Sequence, residues 1–532
     1  MLVRLLTLCL LLCLPLGTQA QTFDELLARL PQGNFNDRAA VVTALGTLGD
    51  PRAADVLDAL LDGELEVRNS DGRLMRVTGG RNARVGIDVL TGEALGPVAA
   101  RSSEAVRVNN GLRRTIRTAL GLLTLRDPNP ARRMAAAEAA IRSPDAEQIE
   151  ALSSAVEAET VPAIRAALLR ARSAAVLGSD APLEDKLAAV ALIAQGPALA
   201  VQSALAPHRS AAQPELAAAV AEALAEAERR RALWSQAQTL WFGLSLGSVL
   251  LLAAIGLAIT FGVMGVINLA HGELVMLGAY TTFVVQQTLR AYAPEYFGWS
   301  LAIAVPTAFL VVGAVGVAIE RGVVRHLYGR PLETLLATWG VSLILQQAVR
   351  SIFGPTNREV GTPNWMSGAF QIGELTITGS RLAIVIFSFA VFAGLLVAMR
   401  YSAFGLQMRA VTQNRAMAAN VGIRTGRVDA LTFGLGAGIA GLAGVALSQI
   451  DNVSPNLGQG YIIDSFLVVV FGGVGNLWGT LAAALSLGIA NKVLEPWAGA
   501  VLGKILILIF IILFIQKRPR GLFPQRGRAV EG

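Results

Sequence analysis

"VINLAHGELVMLGAY", residues 266–280, sets an amide, an imidazole and a carboxylate (Asn268, His271 and Glu273) within six positions of one another. Leucine, valine, methionine and glycine flank the three on both sides. Working outward, residues 240–516 are long hydrophobic runs broken by glycine, with their charges gathered into a few short loops. A span needs about 20 apolar residues to cross roughly 30 Å of hydrocarbon, and an ionisable side chain at that depth costs about 2.5–3.5 kcal/mol. Two arrangements reconcile the stretch with that cost. In one, its flanking helices form a tight hairpin and the trio sits at the turn, Asn268 capping the second helix and Glu273 favouring its N-terminal dipole. In the other, the hairpin is broken within the bilayer and the trio lines a polar passage.

Nine stretches qualify as spans: 240–264, 268–289, 299–320, 331–352, 381–400, 429–449, 460–475, 477–495 and 499–516. The short, glycine-rich 460–475 reads as a broken or re-entrant helix, giving eight or nine spans. Lys and Arg placement orients them. Arg321, Arg325 and Arg330 crowd one loop, the acid-free segment 400–428 holds Arg400, Arg409, Arg415, Arg424 and Arg427, and the tail 517–532 holds Lys517, Arg518, Arg520, Arg526 and Arg528. These sets are expected in the cytoplasm, which puts residue 240 on the outer face. The formal charge of +7 then serves orientation and anionic membrane lipid, and nucleic acid is excluded as a partner. No cation stands out within the apolar runs.

The amino terminus agrees with that orientation. Residues 1–20 carry Arg4, an apolar core from Leu5 to Leu16 and a small-x-small site at Thr18-Gln19-Ala20, the pattern of a cleaved signal peptide. Both cysteines, Cys9 and Cys13, lie in it, so a mature chain has no disulfide, thiolate metal site or thiol nucleophile. Residues 21–235 are alanine-rich but dotted with Arg, Asp and Glu, as in an exported helical domain. In 37–63 apolar residues recur at threes and fours (Val41, Val42, Leu45, Leu48, then Val56, Leu57, Leu60, Leu61) about a Gly49-Asp50-Pro51 joint. The spacing predicts a HEAT-like helix pair, with weaker copies in 131–160 and 161–230. Residues 64–78 predict a small β-hairpin turning at Asn69-Ser70-Asp71-Gly72. The expected fold is therefore all-α: an exported domain (21–235), then a polytopic membrane domain (236–516) with a cytoplasmic loop at 401–428.

That loop, "FGLQMRAVTQNRAMAANVGIRTGRV" (404–428), predicts a short helix over 410–421 ended by Gly422 in a left-handed conformation. On residues alone it is either a basic lipid-facing loop or a segment on which a soluble motor pushes. It resembles the coupling helix of ABC importer permeases, with Ala418 and Ala419 ahead of Gly422. Ala416 stands where an acidic residue often opens that pattern. "GVINLAHGELVMLGAY" (265–280), "FGGVGNLWGTLAAALSLG" (471–488) and "RPRGLF" (518–523) resemble, in order, the branched-chain amino-acid permease (LivH/LivM) family across 240–525. The exported extension with "RNSDGRLMRV", "DVLTGE" and "VNNGLRRTIRTAL" resembles the urea-permease branch of that family. The resemblance implies a urea importer with a second permease subunit, two cytoplasmic ATPase subunits and a periplasmic urea-binding protein. It assigns coupling to Arg409, Arg415, Ala418, Ala419 and Gly422, and no cofactor.

The chain offers no motor of its own. Its nearest approach to a phosphate-binding loop, Gly499 to Ile505, is one residue short and lacks the hydroxyl residue. Urea offers one carbonyl and four N–H groups, and a dry passage without replacement hydrogen bonds costs several kcal/mol. Neutral and acceptor groups in series answer that need: Asn268, His271 and Glu273, with Thr338, Ser342 and Gln346 at spacings of four on one helical face, and Gln347 and Gln449 beyond them. The same polar stripe also serves to glue membrane helices together. Gly472, Gly473, Gly475 and Gly479 read as sites of close backbone approach rather than phosphate binding. Phe261-Gly262 with Gly265 echoes Phe471-Gly472 with Gly475, a faint internal repeat of glycine-rich hairpins. Rival readings are a permease for branched-chain amino acids or short amides, a passive urea channel with no use for a docking helix, and an intramembrane hydrolase, which lacks any H-E-x-x-H, Ser–His or metal-ligand constellation.

Overall fold

The computed structural model describes residues 22–48, 50, 52–78, 84–99, 102–125 and 127–523. The signal-peptide reading with its two cysteines, the joint residues Gly49 and Pro51, and the tail residues Arg526 and Arg528 lie outside the described residues. The chain divides into two compact units between Arg231 and Ala232.

The first unit opens with helices α1 (Phe23–Arg29), α2 (Phe35–Leu48) and α3 (Arg52–Asp62). Ala53, Val56, Leu57 and Leu60 of α3 are buried at the helical spacing the sequence shows. Residues 65–105 form an antiparallel sheet of five strands: β1 (Leu65–Arg68), β2 (Leu74–Thr78), β3 (Val85–Asp88), β4 (Ala94–Pro97) and β5 (Ser103–Ala105), in the order β4-β3-β2-β1-β5. The expected hairpin is β1–β2. It is not isolated, because "DVLTGE" turns a second hairpin and β5 returns to the free edge of β1. A lone two-stranded hairpin is marginal in water, and three or more strands on an apolar face are not.

Helix α4 (Asn110–Thr124) is capped by Asn109, whose side chain accepts the Leu112 N–H at 2.7 Å. It packs Leu112, Ile116, Ala119 and Leu123 into the same core as α1–α3. A separate core gathers α5 (Pro130–Arg142), α6 (Ile149–Ala158), α7 (Pro162–Leu177), α8 (Leu183–Ala194), α9 (Ala198–Leu205) and the start of α10 (Pro214–Met264). The helix pair at 37–63 therefore stacks on the sheet and α4, not on the proposed later copies.

Within the second core Arg133 forks onto Glu159, Nε to Oε2 at 2.7 Å and Nη2 to Oε1 at 3.1 Å. Glu159, at the end of α6, also accepts the Val161 N–H that opens α7. Arg133 first, and then that N–H, hold the carboxyl below its ordinary range. A folded value below the unfolded one adds stability above the unfolded value, lost as pH falls through the folded one. Glu159→Gln removes this increment: at neutral pH the intact chain in detergent melts lower by about 3–8 °C, and acidification narrows the gap to wild type.

The second unit runs from the remainder of α10 through α11 (His271–Tyr292), α12 (Ser300–Gly322), α13 (Pro331–Phe353), α14 (Gly379–Tyr401), α15 (Ala403–Gln413), α16 (Arg415–Asn420), α17 (Thr425–Leu447), α18 (Leu457–Gly472) and α19 (Leu477–Lys517). All nine candidate spans fall on helices. Five helices among the described residues are long and apolar enough to cross a membrane; one of them, α19, is kinked at Gly499. The runs 477–495 and 499–516 are its two arms. Helix α18, at 16 residues, is short of a full span. A two-stranded hairpin, β6 (Ala369–Ile372) and β7 (Leu375–Thr378), precedes α14 and turns at Gly373-Glu374. The all-α expectation misses it, though its two-residue glycine turn is a hairpin signal.

Helix α17 is the axis of this unit. Every residue from Gly436 to Leu447 is buried. Its glycines meet backbone on three sides: Gly436 against Gly256 of α10, Gly441 and Gly444 against Gly278 and Val275 of α11, and Gly434 against Gly313 of α12. Bare backbone lets the helix axes approach this closely.

Candidate functional site

Helix α10 stops at Met264, Gly265 takes a left-handed φ of 69°, and the chain stays non-helical until His271 opens α11. Asn268, His271 and Glu273 are each at most 2% exposed. The Asn268 Oδ1 accepts the Ala270 N–H at 3.0 Å, just outside α11, whose N-terminus has no side-chain cap. His271 Nε2 lies 2.7 Å from the Ala253 carbonyl of α10. A carbonyl only accepts, so Nε2 donates, and in the neutral ring Nδ1 is an acceptor. The Glu273 Oε1 accepts from Ser342 Oγ of α13 at 3.2 Å. Thr338 Oγ1 accepts the Leu269 N–H at 3.2 Å, tying the broken segment to the same helix.

Thr334, Thr338, Ser342 and Gln346 are buried, while Leu332, Leu336, Trp339 and Ile344 are exposed. Helix α13 is thus polar inward and apolar outward, the reverse of a soluble helix. At the end of the stripe Gln346 Nε2 donates to Asn456 Oδ1 at 3.0 Å, which also receives Arg350 Nη2 at 3.1 Å. Gln347 is exposed and off this face. Gln449 bonds Ser448 and stands beside an apolar pocket lined by Leu301, Met366 and Phe387, apart from the stripe.

Three polar atoms at the break have no partner: Asn268 Nδ2, His271 Nδ1 and Glu273 Oε2. Buried polar atoms are ordinarily paired, so each of these three, one amide donor and two acceptors on side chains of the same break, calls for an explanation. None of the side chains meeting at the break is a cation. The apolar runs do carry cations, each with a partner: Arg350 of α13 bonds Asn456, Lys492 of α19 bonds Glu495, and Lys504 of α19 bonds Asp464 of α18 at 2.9 Å. Among the described residues no group of His, Cys, Asp or Glu stands together as a metal site.

The second glycine-rich break closes differently. A Cβ at Gly472 would meet the Gly479 carbonyl, and one at Gly473 the Phe523 carbonyl at 2.7 Å. Leu522 and Phe523 of the "RPRGLF" motif donate backbone N–H groups to Phe471 and Gly472. Gly475 backs directly onto Gly262, so the two echoing breaks touch.

In the 401–428 segment the expected single helix is two, split at Asn414, whose backbone turns extended while its Oδ1 caps α16 through the Met417 N–H. Gly422, at φ 92°, follows α16; its N–H bonds Ala419 O and the Ile423 N–H bonds Ala418 O, both at 3.0 Å. Ala418 is buried; Ala419, Met417 and Val421 are exposed. Arg409 donates to the Met399 carbonyl that ends α14. Arg415 is not a free surface cation: its guanidinium forks onto Asp429 of α17 and lies 4.7 Å from the Tyr328 ring. Asp429, Tyr328 and Glu320 were not singled out from the sequence. Their signal is an acid set beside or within an apolar run, Glu320 before Arg321 and Asp429 after Val428.

Residues 239–515 match the family described as the branched-chain amino acid transport system / permease component. The permease LivH of the high-affinity branched-chain amino acid transport system of Escherichia coli (strain K12) is 32% identical over 293 residues, which cover 54% of this chain and 94% of that protein. The permease BraD of Pseudomonas aeruginosa is 32% identical over 292 residues, again 54% and 94%. A probable LivH of Methanocaldococcus jannaschii is 24% identical over 288 residues, 52% and 88%. No solved structure matches. The match covers more than half of the chain and nearly the whole of these relatives, and the chain belongs to the branched-chain amino-acid transport permease family: a transport component, not an enzyme.

Proposed function

We propose that this chain is the conduit subunit of an ABC importer, that the polar groups at the 265–270 break line its translocation path, and that separate ATPase subunits drive it by pushing on α16. The observation that carries the path is the trio of unpartnered buried atoms on Asn268, His271 and Glu273. In this reading the N-terminal unit faces the periplasm and the arginine-rich segments face the cytoplasm, supported by the Lys and Arg distribution. A second permease subunit and a periplasmic solute-binding protein complete the assembly.

The relatives' names favour a branched-chain amino acid as cargo. Its ammonium suits Glu273 and His271 Nδ1, and its carboxylate the amide end of α11 and Asn268. Urea is the second reading. It is favoured by the absence of a cation among the side chains at the break and by an N-terminal unit lying outside the family match. Urea's carbonyl suits the Asn268 donor and its N–H groups the two acceptors. Uptake of labelled leucine and labelled urea by the complete importer in vesicles, each competed by the other, decides between them. Saturable ATP-dependent uptake of one solute that the other fails to compete assigns the cargo; ATP-dependent uptake of neither overturns the importer reading.

Gly422→Pro tests the drive. Proline fixes φ near −65° and removes the N–H that bonds Ala419. Protein remains in the membrane, and ATP-dependent uptake falls below a tenth of wild type, about 1.4 kcal/mol or more of lost coupling. Unchanged uptake removes α16 from the drive.

A further inference from the structure

Four side chains, from α12, the connection after it, α16 and α17, form a connected polar cluster at Arg415. Arg415, the first residue of α16, forks onto Asp429 with Nη1–Oδ1 at 3.2 Å and Nη2–Oδ2 at 2.5 Å. Asp429, in the second turn of α17, is fully buried, while Arg415 is half exposed. The face of the guanidinium covers the Tyr328 ring, and Tyr328 OH donates to Glu320 Oε1 at the end of α12 at 3.0 Å. Glu320 is 1% exposed, and its Oε2 has no hydrogen bond but lies 3.6 Å from Arg321 Nε. Two buried carboxylates at the end of an apolar bundle exceed what anchoring a surface loop needs, since replacing such pairs by apolar packing is often neutral or stabilising.

Both acids lie on helices packed against α11, the helix that opens at the break. From Asp429, α17 runs to Gly441 and Gly444, which press backbone against Gly278 and Val275 of α11, and α11 begins with His271 and Glu273. From Glu320, α12 packs Gly316 against Ala437 of the same α17. Glycine-to-backbone contacts of this kind have no soft side chain to absorb a shift, so movement of α17 moves α11.

We infer that the Arg415–Asp429 pair, steadied by Tyr328 and Glu320, is the latch that carries displacement of α16 into α17 and on to the polar break, with Asp429 as its positioning residue. This rests on the importer reading above and adds how the drive reaches the site. The bidentate fork transmits direction, which a single point contact does not, and the exposed half of the arginine is the part a docking partner can reach.

The test uses the complete importer in nanodiscs with its ATPase subunits. Hydrogen exchange of the backbone at 266–275 is followed with and without ATP, alongside solute moved per ATP hydrolysed. Wild type changes its exchange at 266–275 on adding ATP. Asp429→Asn and Arg415→Lys, both conservative in size, keep membrane abundance and ATP hydrolysis, lose that exchange change, and move about tenfold less solute per ATP. Tyr328→Phe, which keeps the ring and drops the bond to Glu320, gives an intermediate loss. Survival of the ATP-dependent exchange change in Asp429→Asn and Arg415→Lys overturns the latch, as does a deficit that tracks protein abundance alone. Because exchange is read without solute, the latch stands or falls separately from the cargo. Wild type that shows neither an ATP-dependent exchange change nor ATP-dependent uptake overturns the importer reading and the latch with it.

Discussion

Gly278→Leu eliminates folded protein from the membrane, whereas Gly340→Leu leaves it at wild-type abundance. A side chain at Gly278 would drive its Cβ into the carbonyl oxygen and Cα of Gly441, deep in the α11–α17 contact. Ordinary overpacking costs about 1–3 kcal/mol because neighbouring side chains change rotamer. Here the obstacle is backbone on a fully buried helix, so the two helices must separate and give up the contacts of Val275 and Ala279 with it. The expected cost exceeds the about 5 kcal/mol at the lower end of protein stabilities. A Cβ at Gly340, half-buried on α13, meets nothing within 4 Å. Quantitative blotting of membranes and thermal melting in detergent read both variants. Normal abundance of Gly278→Leu would contradict the packing described for α17.

The second large effect is on transport with the fold intact. Asn268→Asp keeps the acceptor that takes the Ala270 N–H and replaces the unpartnered Nδ2 donor with a second oxygen. Losing a buried hydrogen bond to the moving solute costs about 1–3 kcal/mol, a fall of about 10- to 100-fold in uptake. Asn268→Leu removes both halves, so it loses about 1 kcal/mol of stability as well. The pair separates the two readings of the opening stretch. If Asn268 only shapes the turn, Asn268→Asp transports like wild type and Asn268→Leu loses protein rather than activity. If it lines the path, both retain most protein and both lose uptake.

Much of this was legible in the sequence, for identifiable reasons. Apolar length places all nine runs on helices, two of them on the arms of α19, because backbone satisfaction in hydrocarbon leaves the chain little else to do. The spacing of four puts Thr338, Ser342 and Gln346 on one face, and the structure finds that face buried. The glycines of 471–479 read as close approaches because a missing Cβ has few other uses on a membrane helix. What stayed hidden depends on partners distant in sequence. Nothing near Arg415 shows that it bonds Asp429 across Gly422, so a structural ion pair looks like a loose basic loop. The kink at Gly499 and the split at Asn414 turn on single residues inside strongly helical surroundings, where periodicity stays silent. Strand β5 is three residues long and exists only because β1 offers an open edge. The orphan atoms at the break are the least legible of all, since an unpartnered atom is defined by everything around it.

The most direct measurement is solute flux through vesicles holding the purified chain alone, set beside vesicles holding the complete importer with ATP. Negligible flux from the lone chain and ATP-dependent uptake by the assembly, lowered about 10- to 100-fold by Asn268→Asp, is the expected result. Steady passage of leucine or urea through the lone chain, with neither nucleotide nor companion subunits, would contradict a path that opens only when α16 is driven.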